Sequence, residues 1–310
     1  MLSAPPRVTL LFYRLSALFT LLTVSLGAVV CATRSGFDCH SWPGCYDDRF
    51  APGPADIPAA LVANPALEMV HRVTAMTTGA VLIVTVVLAL LAKTPVRATR
   101  VLPIVAALAG GVSALFGRAS VLGLGVTATG AAIDLLAALS AMSLALVAAV
   151  ALRRGGRFVL NRVSSPALVA SAVLVVMHVT GQLAAGDRSF TRCMSWPILW
   201  LAHDDNLGVQ VARTGLAVFA LVATVVTVRV ALRTPRLRGH GFALAGLLTA
   251  VLALAVAYRA TGTDGGMLGI TFSLASVALL WTLVLLCARA GISGPVESTP
   301  PAERRELERV

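Results

Sequence analysis

Residues Val73–Ala92 read VTAMTTGAVLIVTVVLALLA, twenty positions without one charged side chain. About 20 apolar residues, rising 1.5 Å each along a helix, cross a hydrocarbon core about 30 Å thick. Lipid offers backbone amides no hydrogen bonds, so a run this long and this apolar is expected to be helical. Gly241–Tyr258 and Met267–Ala288 are equally free of charge. Outward from these three, apolar runs fall near 10–32, 68–92, 100–117, 126–152, 166–186, 207–230, 241–260 and 266–288. None shows the two-residue alternation of an outer-membrane barrel. The expected fold is an all-α integral membrane protein, with eight transmembrane helices arranged as two tandem four-helix bundles.

The composition agrees. Of 310 residues, 57% are hydrophobic and 13% charged, against about a quarter charged in soluble domains, and the mean hydropathy is +0.86. This excludes a disordered chain, a disulfide-stapled secreted domain and an enzyme on a single anchor. A net charge of +11 would otherwise suggest nucleic acid; the positions of the charges argue against that partner. With the N-terminus inside, 17 of the 25 basic residues fall on the inner segments and ten of the 14 acids on the outer side. The positive-inside rule then places both termini in the cytoplasm of a multi-pass plasma-membrane protein. Arg7 and Arg14 before an apolar run, with Val30-Cys31-Ala32 after it, resemble a signal peptide. The run is read instead as a mature helix, because it has an internal counterpart.

That counterpart emerges when the chain is aligned on itself at an offset of 154 residues: Gly27 meets Gly181, Arg34 meets Arg188, Ser35 meets Ser189, and Cys39 meets Cys193. Ser41-Trp42-Pro43 meets Ser195-Trp196-Pro197, and Arg72 pairs with Arg213 after a shorter loop. The expected organisation is an N-terminal half over 1–157 with an outer loop at 33–67 and a C-terminal half over 158–290 with an outer loop at 187–206. A cytoplasmic tail, 291–310, follows. Two halves in the same orientation imply a parallel pseudo-twofold repeat about the membrane normal.

Polar residues inside such a bundle mark function by default, and here they gather at the outer level. Glu68 and His71, three apart, share a face at the outer end of the second span. A neutral imidazole suits haem iron, with the carboxylate orienting it or handling a proton; the plainer reading is a His-Arg pair, His71 and Arg72, anchoring the helix end. Asp134 is either a functional carboxylate or a salt-bridge partner of Arg72 or Arg118. His178 is a ligand or a hydrogen-bonded helix contact. Cys39 and Cys45, five residues between them, can close a small disulfide that is structural or relays electrons. Cys193 has no mate at the position equivalent to Cys45, where Leu199 stands, and Cys31 and Cys287 read as inert apolar residues. His40, His203 and His240 read as solvated.

These residues resemble a family. Gly27-Ala28-Val29-Val30, Thr33-Arg34-Ser35-Gly36-Phe37-Asp38-Cys39 and Trp42-Pro43-Gly44-Cys45 are similar to the first helix and first loop of heme A synthases. Glu68-Met69-Val70-His71-Arg72 resembles that family's Glu-x-x-His-Arg motif. The likeness is sharp over about 27–76 and 181–197; elsewhere it is one of architecture. It implies oxidation of the haem O methyl group to the formyl of haem A for cytochrome oxidase, with haem O as substrate and a haem b cofactor in the other half. It implies Glu68 and His71 as catalytic residues and His71 as iron ligand; Arg72, Asp134 and Arg213 are candidate cofactor contacts, as is His178, an extra histidine outside the family pattern. Cys39 and Cys45 match the loop pair assigned to redox chemistry. Implied partners are haem O synthase, cytochrome oxidase subunits, a quinone or other electron acceptor, and a second copy of the chain.

The chain also departs from the family pattern. Asp134 stands where the second histidine of the first half is expected, the His-Arg motif of the second half is Ala212-Arg213, and Leu268–Leu274 holds no histidine. One expected ligand of four is present, which gives His71 an open sixth position and leaves haem b without its pair. The alternative reading is a non-catalytic haem-binding or oxidase-assembly protein that kept the fold. A transporter is a third, favoured by the repeat but lacking paired Gly/Pro-broken spans.

Overall fold

In the computed structural model, residues 7–36, 38–92, 96–184, 190–197, 207–261 and 266–292 are described. They form eight long helices: α1 (Arg7–Ala32), α2 (Pro65–Leu91), α3 (Arg97–Val121), α4 (Ala128–Arg154), α5 (Ser164–Ala184), α6 (Leu207–Arg233), α7 (Arg238–Thr261) and α8 (Met267–Gly291). All eight are long and apolar enough to cross a membrane, and no strand occurs among the described residues. The protein is a multi-pass, all-helical membrane protein. Several helices run past the apolar runs to take in terminal arginines such as Arg7, Arg97, Arg154 and Arg233. An arginine at a helix end can lay its stem along apolar surface and keep its head in water.

Local chemistry sets the helix ends. Asn64 caps α2, its Oδ1 accepting from Ala66 N at 3.0 Å, with Pro65 in the first turn where no N–H is needed. Thr127 caps α4, and Gly155 ends it at φ 65°, a left-handed conformation that costs glycine least. Asn161 Oδ1 accepts from Val163 N and Ser164 N at 2.9 Å to begin α5.

Helix α1 packs on α2 and α4, with α3 between α2 and α4; α5 packs on α6 and α8, with α7 between α6 and α8. The two quartets meet where α4 touches α5 and α8 and where α1 touches α8. On the side where α1 begins and α8 ends, the linker after α4 locks onto the end of α8. Val159 N donates to Gly291 O at 2.8 Å and Asn161 Nδ2 to Ala290 O at 2.6 Å. On the opposite side, where the long loops lie, Cys31 at the end of α1 is disulfide-bonded to Cys193. This corrects the reading of Cys31 as inert and Cys193 as unmated: they pair across the two quartets, 162 residues apart.

Within the first quartet, hydroxyl groups bridge the helices. Ser16 and Thr85 hydroxyls lie 2.7 Å apart, as do those of Thr23 and Thr78. Pro103, inside α3, has no N–H to offer the carbonyl four residues earlier. That carbonyl is Thr99 O, and the buried Tyr13 hydroxyl donates to it at 2.5 Å. We expect Tyr13→Phe to remove about 1 kcal/mol of stability, seen as a lower thermal midpoint in detergent. Thr20→Val, whose hydroxyl bonds only carbonyls of its own helix, should fall less. Equal midpoints for Tyr13→Phe and the parent would contradict this role.

Candidate functional site

The loop after α1 is closed before it reaches the site. Ala63 N donates to Thr33 O at 2.9 Å and Asn64 N to Ser35 Oγ at 3.0 Å, so its two ends meet beside the start of α2. Between them, Cys39 and Cys45 form a disulfide, both sulfurs buried against Met69 of α2. The Trp42–Pro43 peptide is cis, and the Arg118 guanidinium lies 4.9 Å from the centre of the Trp42 ring.

Glu68 and Arg72 hold this loop down. One turn apart on α2, they form an ion pair with side chains 4% and 8% exposed. Removing two charges from water is costly unless every polar atom finds a partner, and nearly all do here. Glu68 Oε2 accepts from Asp38 N and Cys39 N, each at 2.9 Å, and Oε1 accepts from Arg72. Arg72 Nη2 also donates to Cys39 O at 2.8 Å, while Nη1 donates to Gly44 O at 2.7 Å and to Ser41 O. The carboxylate and the guanidinium add to the loop's own turn bonds, Ser41 N to Cys45 O at 3.3 Å and Cys45 N to Phe50 O at 2.9 Å. Beside them, partial burial raises the Asp38 carboxyl above the usual carboxylate range, with His40 opposing the shift.

His71 is turned away from Glu68. Its ring lies against α1 at Gly27, where an added Cβ would stand 3.3 Å from Cε1, and faces the Thr23 backbone. Its Nδ1 is buried and makes no hydrogen bond. The second quartet repeats the arrangement with another side chain. A Cβ at Gly181 of α5 would lie 3.1 Å from Arg213 Nη2, and Arg213 Nε donates to Met177 O at 3.2 Å. His178, 2% exposed, sits within electrostatic reach of Arg213, its Nδ1 buried without a hydrogen bond.

No protein-family model matches the chain. No curated protein matches it either.

The sequence candidates therefore separate into groups. Glu68, Arg72, Cys39 and Cys45 form one bonded unit; His71 lies beside it against α1; His178 and Arg213 lie together in the other quartet. Asp134 joins none of them: it accepts from Ser113 Oγ of α3 at 2.5 Å, rather than pairing with Arg72 or Arg118, whose partners are Glu68 and Trp42. Among the described residues, no three His, Cys, Asp or Glu side chains gather as a metal site. His40 lies exposed in the loop, His240 meets Arg289, and His203 falls outside the described residues.

A haem can be tested against both quartets. In the first, a half-buried imidazole beside the Thr23 backbone, its Nδ1 buried without a hydrogen bond, fits a single axial ligand. In the second, Phe272 stands within 268–274 and is fully buried, packed with Phe190 and Tyr258, while Phe190 stacks on Tyr258 at 4.3 Å. A bis-histidine haem b does not fit there, since aromatic rings fill the place and Arg213 occupies the groove beside Gly181. This aromatic trio and the Cys31–Cys193 bridge were the features that sequence reading missed. Nothing in the sequence singled out Phe272, whose stretch 268–274 stood out only for holding no histidine.

Removing Arg72 would leave a buried carboxylate and three loop carbonyls short of donors. We expect Arg72→Ala to cost about 3–5 kcal/mol and to speed tryptic cleavage at the exposed Arg49 in the loop. Arg72→Lys should recover only part, because an ammonium lacks the planar fork that serves several acceptors. Parent-like stability and cleavage in Arg72→Ala would contradict the clamp.

Proposed function

We propose that the protein is a haem-handling membrane oxidoreductase of the heme A synthase type, with a single haem site in its N-terminal half on His71. The observation that carries this reading is the buried, unbonded Nδ1 of His71, beside a loop whose sequence resembles that family's signature. When bound, the haem would supply the iron chemistry by which a methyl substituent of haem O becomes the formyl group of haem A. The chain's own residues prepare the place. Gly27 gives the imidazole room against α1, and the Glu68–Arg72 pair fixes the disulfide loop over the end of α2. Both Glu68 oxygens are engaged by the loop and by Arg72, so Glu68 is a positioning residue in this proposal and not the proton carrier.

The arginine-rich side faces the cytoplasm and the disulfide side the oxidising face of the plasma membrane, in keeping with positive-inside topology and with where disulfides persist. The 154-residue offset records a duplication in which only the first half kept an iron ligand. Haem O synthase as donor and cytochrome oxidase as recipient follow from the same reading, with a quinone or another membrane carrier taking the electrons. One observation favours a second reading, a non-catalytic haem-binding or oxidase-assembly protein: Phe272, Phe190 and Tyr258 pack together where the haem b that would carry electrons is expected.

Mass spectrometry of haems extracted from cells with and without the gene separates the two. Catalysis predicts haem A with the gene and haem O accumulating without it. Equal haem A in both, with haem still bound to the purified chain, would establish the second reading instead.

A further inference from the structure

On the side where α1 begins and α8 ends the described residues carry arginines and no acid; Asp38, Asp47, Asp48, Asp56, Glu68 and Asp134 all lie toward the other side. Several of these arginines lie where the two quartets meet. Arg154 ends α4, with Nη1 donating to Arg289 O at 2.5 Å and to Ile292 O at 3.0 Å, which seats it on the end of α8. Arg153 and Arg289 both lie within electrostatic reach of it. Arg289 Nη1 in turn meets His240 Nε2 at 2.7 Å, which orients the guanidinium at the start of α7. Arg236 and Arg238, both exposed, extend the surface along the turn between α6 and α7.

Like charges held this close are stabilised by an anion between them, and the surroundings narrow its identity. Large apolar side chains lie exposed at the same level: Leu160 at 60% in the linker after α4 and Phe242 at 63% in the first turns of α7. Phosphate alone would use the guanidiniums only, whereas these side chains face the hydrocarbon beside them. An amphiphile with an anionic head and acyl chains satisfies both.

We infer that Arg153, Arg154 and Arg289, flanked by the exposed Arg236 and Arg238 of the α6–α7 turn, form a binding site for the head group of an anionic phospholipid, where the α4 end of the first quartet meets the α8 end of the second. The site is independent of the haem reading. It ties the halves together on one side as the Cys31–Cys193 bridge does on the other.

The test is native mass spectrometry of the full chain in neutral detergent, titrated with phosphatidylglycerol or phosphatidylcholine at low ionic strength. Arg153→Gln with Arg236→Gln removes two exposed charges and leaves the Arg154 and Arg289 bonds in place. At about fivefold per basic residue near the surface, the first phosphatidylglycerol should bind about twenty- to thirtyfold more weakly, with phosphatidylcholine unaffected. Arg49→Gln with Arg259→Gln lowers the net charge equally at the loop side and should change nothing. Equal weakening by the two pairs, or equal retention of both lipids by the parent, overturns the site. Displacement of the lipid by millimolar inorganic phosphate would assign it to a free anion and overturn the head-group source. Glu297, Glu303, Glu306 and Glu308 changed together to Gln should leave lipid affinity unaltered. A tenfold rise would mean that the chain's own tail occupies the patch, and the proposal fails.

Discussion

Hydrocarbon gives a backbone amide nothing to bond with, and this constraint orders the rest of the protein. It makes each apolar run a helix and requires every interruption to be repaired from inside. Pro103 shows the repair at its simplest, since the N–H it lacks is replaced by a tyrosine hydroxyl from α1. Serine and threonine hydroxyls bond their own helices and each other, so polar groups lie between α1 and α2 without being left unsatisfied. Helices that cannot rely on water to drive them together use such contacts and small residues, and the interior of both quartets is rich in alanine.

The loop side obeys the same rule at higher stakes. A buried carboxylate and guanidinium would be a liability alone, yet together they bond the backbone of a disulfide-closed loop that has no regular structure. The arrangement makes the loop part of the bundle. It also separates two residues that a motif joins. Glu68 and His71 stand three apart, but α2 turns Glu68 with Arg72 toward the loop and His71 toward Gly27. Whatever His71 binds, Glu68 contributes by holding the roof in place.

The eight helices were legible because length and apolarity decide them locally, and their boundaries differ from the sequence reading mainly where terminal arginines extend a helix. The Cys39–Cys45 bridge was legible from its short spacing. The Cys31–Cys193 bridge was not, because nothing local links residues 162 apart, and the repeat drew attention to Cys39 as the counterpart of Cys193 instead. Of the two readings of Asp134, the salt bridge to Arg72 or Arg118 does not form, for a related reason. Charge counting offers an arginine to every buried acid, whereas packing of α3 on α4 brought it a serine. In the second half, Ala212 and the absence of histidine from 268–274 were plain in the sequence; that Phe272 joins an aromatic stack there required the fold.

The central claim is that one histidine, His71, holds one haem. Its most direct test is resonance Raman and optical spectroscopy of the purified full chain, with haem counted per polypeptide, for the parent, His71→Ala and His178→Ala. The account predicts one haem per chain with an iron–imidazole signature that His71→Ala abolishes and His178→Ala leaves intact. Two haems per chain, or an unchanged iron–imidazole signature in His71→Ala, would contradict it.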